Sequence, residues 1–177
     1  MDIRQTIDLL EAKGKTKLEL IRLPYSKTAL SPVLSQKSLD HHFSKLAKGY
    51  VDRYNAGEGD PSFNEAGAFL HNIFFGQFAV PKTANKPNGP VLSLINRKYG
   101  DFESFKEQFT KTAMSIQGSG WVYLAKSGDI KTISNHAKRN DIALLVDWWE
   151  HAWFDDYGTN KSKYLTNIWR IINWNAV

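Results

Sequence analysis

The sequence predicts an α+β fold in which an N-terminal antiparallel helical hairpin packs on a C-terminal lobe with a three-stranded antiparallel sheet flanked by helices. Apolar residues recur at helical spacing in two early segments, which are separated by the turn cluster 55–61. Three prolines and a glycine between residues 81 and 90 indicate a linker. Short runs typical of strands begin only after the glycine-rich break at 118–120, so helices precede the sheet.

These features divide the chain of 177 residues into four parts. Residues 1–17 form an appended segment with a modest helical pattern, and residues 18–80 form the hairpin lobe. Residues 81–90 are the linker, and residues 91–177 form the α/β lobe. A chain of this length suits one domain, or two small lobes that share a core.

Composition narrows the possible classes of protein. Apolar residues make up 42% of the chain and aromatic residues 13%, which is too much for a disordered protein. No apolar run reaches the ~18–20 residues that a membrane span needs, and the N-terminus lacks the apolar stretch of a secretory signal. The chain has no cysteine, which fits a cytoplasmic location without excluding targeting to an organelle.

The charge of the chain is mildly basic. Lysines and arginines exceed the acidic residues by 23 to 18, but they are scattered rather than clustered as in nucleic-acid binders. We therefore expect neither nucleic acid nor a membrane as a partner, although a positive field could steer a small anion towards a cleft.

Each helix of the predicted hairpin carries a histidine in apolar company. The first helix opens at Ser35 or Ser38, and its apolar face consists of Leu39, His42, Phe43, Leu46 and Tyr50. The second helix, predicted from Asn64, carries His71 among aromatic residues. A lone histidine on such a face is more often a core residue than a ligand. A hairpin with a histidine on each inner face is, however, how metal sites in helical bundles are built.

The α/β lobe has a regular alternation of predicted elements. In chain order these are two helices (Val91 to Tyr99, Phe102 to Ser115), three strands (Trp121 to Ala125, Lys131 to Ser134, Ala143 to Val146) and a final helix (Lys163 to Trp174). The third strand runs directly into Asp147, and His151 follows four positions later.

A carboxylate at the end of an apolar strand is costly unless it is paired or binds a metal. One interpretation is that Asp147 caps a helix beside a core histidine. The other is that Asp147 and His151 join His42 and His71 in a metal site. Three imidazoles and one carboxylate suit iron or manganese at least as well as zinc.

The segment Asp147-x-Trp149-Glu150-His151-Ala152, followed by Asp156-Tyr157, resembles the signature of the iron/manganese superoxide dismutases. The resemblance covers most of the chain from about Leu18 onward. Its other motifs are Leu23-Pro24-Tyr25, Ala29-Leu30-x-Pro32, Tyr50 eight residues after His42, Phe63-Asn64 before His71, Gly118-Ser119-Gly120-Trp121 and Asn173-Trp174.

The resemblance implies that His42, His71, Asp147 and His151 bind one iron or manganese ion per chain. It implies a superoxide dismutase, whose metal alternates between M(III) and M(II) while two superoxide ions become dioxygen and hydrogen peroxide. The further roles that it assigns are Tyr50 at the substrate funnel, Trp121 and Trp149 as walls of the pocket, and Glu150 in contact with the partner subunit's His151 in a homodimer.

Two positions bear on the choice of metal. Iron enzymes of the family tend to place a glutamine four residues before the second histidine, whereas manganese enzymes place one near the strands. The corresponding residues here are Gly67 and His136, a combination similar to a subset with iron-dependent and metal-tolerant members. We therefore expect iron, with manganese as the alternative. His136 could instead be an exposed loop histidine.

The chain also departs from the family pattern. The loop between the first two helices is short, and Leu46 and Phe154 replace a histidine and a tyrosine that hydrogen-bond across the family's dimer interface. Losing both partners together can be nearly neutral. Lys161 stands near the usual funnel arginine and keeps only its charge.

These departures and the appended N-terminus keep a second hypothesis open, namely a catalytically inactive, dismutase-like structural subunit of a larger assembly. A third hypothesis, a non-haem iron oxygenase, predicts only three protein ligands.

Overall fold

The computed structural model describes residues 17–177, so the helical pattern predicted for the first residues lies outside the described part. Residues 17–23 run as an extended segment along the hairpin. The backbone N–H of Leu18 donates to the Asn55 side chain, and that of Ile21 donates to the Asn72 side chain. The extended segment is thereby fixed to both helices of the hairpin.

The first helix, α1, is continuous but changes its geometry. Its three parts are Gln36–His41, which is α-helical, His42–Ala47, which is π-helical, and Lys48–Ala56, which is α-helical again. The Ser35 hydroxyl caps the helix by accepting a hydrogen bond from the Ser38 N–H, as the earlier of the two predicted starts requires. Single π turns occur frequently at functional sites, and this one begins at His42.

The second helix, α2, spans Pro61–Gly76 and packs on α1 as the predicted hairpin. It begins before the predicted start at Asn64. The Asp60 side chain caps the helix by accepting a hydrogen bond from the Phe63 N–H. Pro61 is tolerated in the first turn because an N–H at that position would have no acceptor within the helix.

The C-terminal lobe contains the three predicted strands and their flanking helices. Its elements are α3 (Gly89–Tyr99), α4 (Phe102–Met114), β1 (Gly120–Ala125), β2 (Ile130–Ser134), β3 (Ile142–Asp147), α5 (Phe154–Tyr157) and α6 (Lys161–Ile168), with 3-10 turns at Glu150–Ala152 and Trp169–Ile171. The strands form an antiparallel sheet in the order β2-β1-β3, in which Trp121 pairs with Asp147. The predicted fold class is therefore confirmed.

The final helix is shorter than the sequence predicts. A helix to Trp174 is wrong, because α6 ends at Ile168 and the chain is extended by Ile172. Ile172 forms a β-bridge with Phe78, and the Asn173 N–H donates to the Gln77 carbonyl at 2.8 Å. Pairing with the chain that follows α2 therefore takes the place of continued helical hydrogen bonds.

One hydrophobic core joins the two lobes. Phe74 of α2 and Trp121 of β1 lie 6.0 Å apart between ring centroids, and both are fully buried. The elements that carry the candidate ligands are therefore held in one packed interior. Across residues 17–177, no helix combines the length and the apolar character that crossing a membrane would take.

Candidate metal centre

Four side chains from four elements converge on one point inside the core. His42 comes from α1, His71 from α2, Asp147 from the end of β3 and His151 from the 3-10 turn that follows it. One nitrogen or oxygen of each lies within 4.8 Å of those of the other three. The Asp147 Oδ2 lies 3.1 Å from His42 Nε2, 3.6 Å from His71 Nε2 and 3.5 Å from His151 Nε2.

These four atoms are buried and have no hydrogen-bond partner. Within the described residues, the only other buried side-chain nitrogen or oxygen in this condition is Trp174 Nε1. Buried polar atoms without partners are costly, so four that point at each other require a shared cause. Ligand atoms about 2.0–2.2 Å from one metal ion, at angles of about 90–120°, lie about 2.8–3.8 Å from each other. The three separations between Asp147 and the histidines match that arrangement, and the residues present fit a metal ion.

The surrounding structure holds each ligand atom towards the common point. His71 Nδ1 bonds the Gly67 carbonyl at 2.7 Å, which leaves Nε2 free of its proton and aimed at the cluster. The Asp147 Oδ1 accepts a hydrogen bond from the Trp149 N–H at 2.7 Å, so Oδ2 is the oxygen that remains. One oxygen of Asp147 thus holds the backbone at Trp149, and the other faces the histidines. The interpretation of Asp147 as a helix cap beside a satisfied histidine is wrong, because Trp149 is the N-cap of the following turn and His151 Nε2 has no hydrogen-bond partner.

The protonation states suit a cation. Burial lowers the pKa of His42 to about 4 and that of His71 to about 3, so both imidazoles are neutral at neutral pH. Burial alone would raise the pKa of Asp147, but its contacts with His151 and His42 outweigh burial and hold that pKa below its usual range. A metal ion therefore meets unprotonated ligands in His42, His71 and Asp147.

Tyr50, His136 and Trp121 form a hydrogen-bonded chain beside the cluster. The Trp121 Nε1–H donates to His136 Nδ1 at 3.1 Å, and His136 Nε2 lies 2.9 Å from the Tyr50 hydroxyl. Burial lowers the pKa of His136 to about 4 and raises that of Tyr50 to about 12. His136 is thus partly buried beside the cluster, and the alternative of an exposed loop histidine is wrong.

The two tryptophans predicted as walls lie against the ligands. Trp121 meets the His71 ring edge-on at 5.0 Å between centroids. Trp149 stacks on His136 at 4.6 Å and on His151 at 5.7 Å. His151 is the most accessible of the four candidate ligands, with 16% of its side chain exposed, although its Nε2 atom is buried.

Gly67 allows Tyr50 to approach α2 closely. A Cβ at residue 67 would lie 2.8 Å from the Tyr50 ring, which is closer than side chains approach each other. The space that a side chain at this position would fill is thus occupied by the tyrosine ring. A glutamine here would require Tyr50 to move.

The residues predicted at a dimer interface lie at or near the surface of the single chain. Glu150 is exposed, the Phe154 side chain is 54% exposed, and Leu46 is half-buried on α1. Their contacts with a partner stay predictions. The Lys161 ammonium lies over the Trp148 ring, 5.5 Å from its centroid.

Sequence reasoning missed two residues that hold Asp147 in place. The Tyr164 hydroxyl donates to the Asp147 carbonyl at 3.2 Å, and Gln77 bonds the backbone of Leu145 on the same strand. In the sequence, each of these residues is marked only as a polar group within an apolar stretch. That pattern does not reveal which backbone group it bonds.

The fold and this centre define a metalloprotein with three histidines and one aspartate drawn from a helical hairpin and a sheet lobe. Comparisons with known proteins agree with that class. The family model described as "Iron/manganese superoxide dismutases, alpha-hairpin domain" matches residues 17–60, and that described as "Iron/manganese superoxide dismutases, C-terminal domain" matches residues 87–177. The chain belongs to the iron/manganese superoxide dismutase family.

Curated relatives span nearly the whole chain. The "Superoxide dismutase [Fe]" of Bacteroides fragilis is 32% identical over 90% of this chain and 96% of its own length. The "Superoxide dismutase [Mn/Fe]" of Porphyromonas gingivalis is 34% identical over the same shares. The "Superoxide dismutase [Fe]" of Salmonella typhimurium is 34% identical over 90% of this chain and 95% of its own.

Proposed function

We propose that this chain is a superoxide dismutase, which converts two superoxide ions and two protons into dioxygen and hydrogen peroxide. The observation that carries the proposal is the set of four buried, partnerless ligand atoms that converge between the two lobes. Membership of the family and the names of the relatives support the same reaction.

The proposed ligands of one metal ion are His42, His71, Asp147 and His151. In this proposal the hairpin lobe, residues 18–80, supplies two of them, and the lobe of residues 91–177 supplies the other two, with 81–90 as the linker. Bound iron or manganese would supply reversible one-electron chemistry at the site. Because the ligands contribute a single negative charge, the loaded centre keeps a net positive charge that attracts a small anion.

The residues around the ligands handle protons and water. Since Trp121 is a donor only, His136 Nδ1 is an acceptor, and the neutral ring carries its proton on Nε2. That proton is donated to the Tyr50 oxygen, which leaves the tyrosine's own hydrogen free for the centre. Trp121 and Trp149 cover the ligands with apolar surface and restrict the entry of water.

Iron is the metal that we favour, with manganese as the alternative. The pair Gly67 and His136 supports this choice, since no glutamine occupies either position that the family uses. Relatives named for iron and for both metals support it as well.

We also propose that the chain forms a homodimer in the cytoplasm. The exposed Phe154 and Glu150 lie within four residues of His151, whose side chain is itself partly exposed. A partner that covers this face would shield His151, with Glu150 against the partner subunit's His151 and Leu46 and Phe154 in apolar contact.

The alternative is a catalytically inactive structural subunit. Loading the metal-free protein with Fe(II) or with Mn(II), and measuring superoxide decay at equal metal content, separates the two. We expect activity with iron at about one ion per chain. A folded protein that binds neither metal, or that binds either one without any dismutation, would support the structural subunit instead.

A further inference from the structure

The strand that carries Asp147 lies at the edge of its sheet. Because the strand order is β2-β1-β3, only one edge of β3 pairs with another strand. Backbone groups on the other edge need partners from outside the sheet when they are buried. Leu145 and Asp147 are fully buried and lie on that edge, since residues two apart on a strand point their backbone groups the same way.

Gln77 occupies this edge in place of a fourth strand. Its amide Nε2 donates to the Leu145 carbonyl, and the Leu145 N–H donates to its Oε1 at 3.0 Å. A side-chain amide thus makes the two hydrogen bonds that a neighbouring strand would make. Gln77 is 4% exposed, so water does not compete for these groups.

The backbone of Gln77 is itself held from both sides. Gln77 directly follows α2, six residues after His71, and its carbonyl accepts the hydrogen bond from the Asn173 N–H. Its side chain reaches the strand two residues before Asp147. Gln77 is therefore a short link between the helix of one candidate ligand and the strand of another.

We propose that Gln77 is a positioning residue of the metal centre, and that Tyr164, through the Asp147 carbonyl, is its counterpart at the end of the same edge. Gln77 fixes β3 at the distance from α2 that sets the gap of 3.6 Å between Asp147 Oδ2 and His71 Nε2, and Tyr164 holds the end of the same edge to α6. This inference rests on the proposed metal ligands.

The expected effect is on metal binding as well as on folding. Replacing Gln77 with leucine leaves the Leu145 N–H and carbonyl buried without partners, which destabilises the protein and frees the strand to shift. Metal sites require placement of their ligands within about 0.5 Å. Loss of residues that orient ligands typically weakens metal binding about 10- to 100-fold.

Asn85 offers a matched control. Its Nδ2 donates to the Trp169 carbonyl at 2.9 Å and to the Ile172 carbonyl at 2.7 Å, so Asn85→Leu also removes two bonds to the backbone. These bonds hold the C-terminal segment, and none of them reaches β3. Asn85→Leu should therefore lower stability without changing the ligands.

The experiment is titration of the full-length, metal-free protein with Co(II), whose absorption reports both affinity and coordination. We expect Gln77→Leu to weaken Co(II) binding about 10- to 100-fold and to shift the spectrum, while Asn85→Leu keeps both at wild-type values. Equal affinity and an unchanged spectrum in Gln77→Leu would overturn the inference.

Tyr164→Phe extends the test in a variant that removes only one hydroxyl. We expect Tyr164→Phe to bind Co(II) more weakly than the wild type. Wild-type affinity in this variant would count against the proposed positioning role of Tyr164. Should wild-type protein itself fail to bind Co(II), the metal ligands are wrong, which is a different failure from that of Gln77.

Discussion

His136 Nε2 lies 2.9 Å from the hydroxyl oxygen of Tyr50, and the donor in this contact is the histidine. The assignment follows from Trp121, whose indole can only donate and does so to the other nitrogen of the ring. The hydrogen of the tyrosine is consequently available to the metal centre. Gly67 and His136 thus place Tyr50 from two directions.

Tyr50→Phe should keep the metal and slow turnover. The ring still fills the space beside Gly67, but the O–H group that can deliver a proton is absent, and a fall of about tenfold or more is expected. Metal analysis and stopped-flow measurement of superoxide decay test this. Tyr99→Phe is the control, because its hydroxyl bonds the distant Gly128 carbonyl. Loss of metal in Tyr50→Phe would contradict the assignment of Tyr50 to proton delivery rather than to metal binding.

Gly67→Ala should lower both activity and thermal stability. The new Cβ would lie 2.8 Å from the Tyr50 ring, so the ring must move and its contact with His136 is broken. Gly49→Ala is the matched control on α1, since its Cβ would meet only the flexible end of Arg53. We expect Gly49→Ala to be neutral or to stabilise by up to about 1 kcal/mol. Similar unfolding temperatures and activities for the two variants would contradict the close contact.

The metal-free protein should lose stability between about pH 6.5 and pH 3. The folded-state pKa values of His42 and His71 lie at about 4 and about 3, so the unfolded chain binds these protons first as the pH falls. The contribution of these histidines to stability is therefore complete when the pH is above their pKa in the unfolded chain, and it is lost as the pH falls below that value. Between about pH 7 and pH 5, we expect the free energy of unfolding to fall by roughly 2 kcal/mol for each histidine.

Urea unfolding at the two pH values measures this loss. His71→Gln removes one of the three histidines (His42, His71 and His136) whose pKa is lowered in the folded state, so it should show a smaller dependence on pH than the wild type. An identical dependence in the two proteins would exclude His71 as a source of the acid sensitivity.

Phe154→Asp should convert a dimer into monomers. A charge placed at an apolar contact must be desolvated in the interface, which is costly without a partner. Val80→Asp is the control, because Val80 is 62% exposed, compared with 54% for Phe154, and lies outside the proposed interface. Sedimentation of both variants gives the test, and a Phe154→Asp protein that remains dimeric would place the interface elsewhere.

The sequence predicts the hairpin and the three strands, because each depends on local periodicity. It predicts the convergence of the four ligands through the resemblance of its motifs to a known family. It misplaces the start of α2, where Asp60 and Pro61 begin the helix early, and the end of α6. That end depends on pairing between Ile172 and Phe78, which are far apart in the chain.

The edge contacts of Gln77 and Tyr164 depend on similarly long separations. Sequence periodicity identifies the face on which a residue lies, but it does not identify the partner of a polar group across the core.

The most direct test of the proposed centre is the metal content of His71→Ala compared with His41→Ala. His41 is adjacent to His42 on α1, but its side chain is exposed and bonds Asp155 at the surface. We predict that His71→Ala loses its metal and its superoxide dismutation together, whereas His41→Ala keeps about one metal ion per chain and full activity. A His71→Ala protein with wild-type metal content and activity would contradict the ligand assignment.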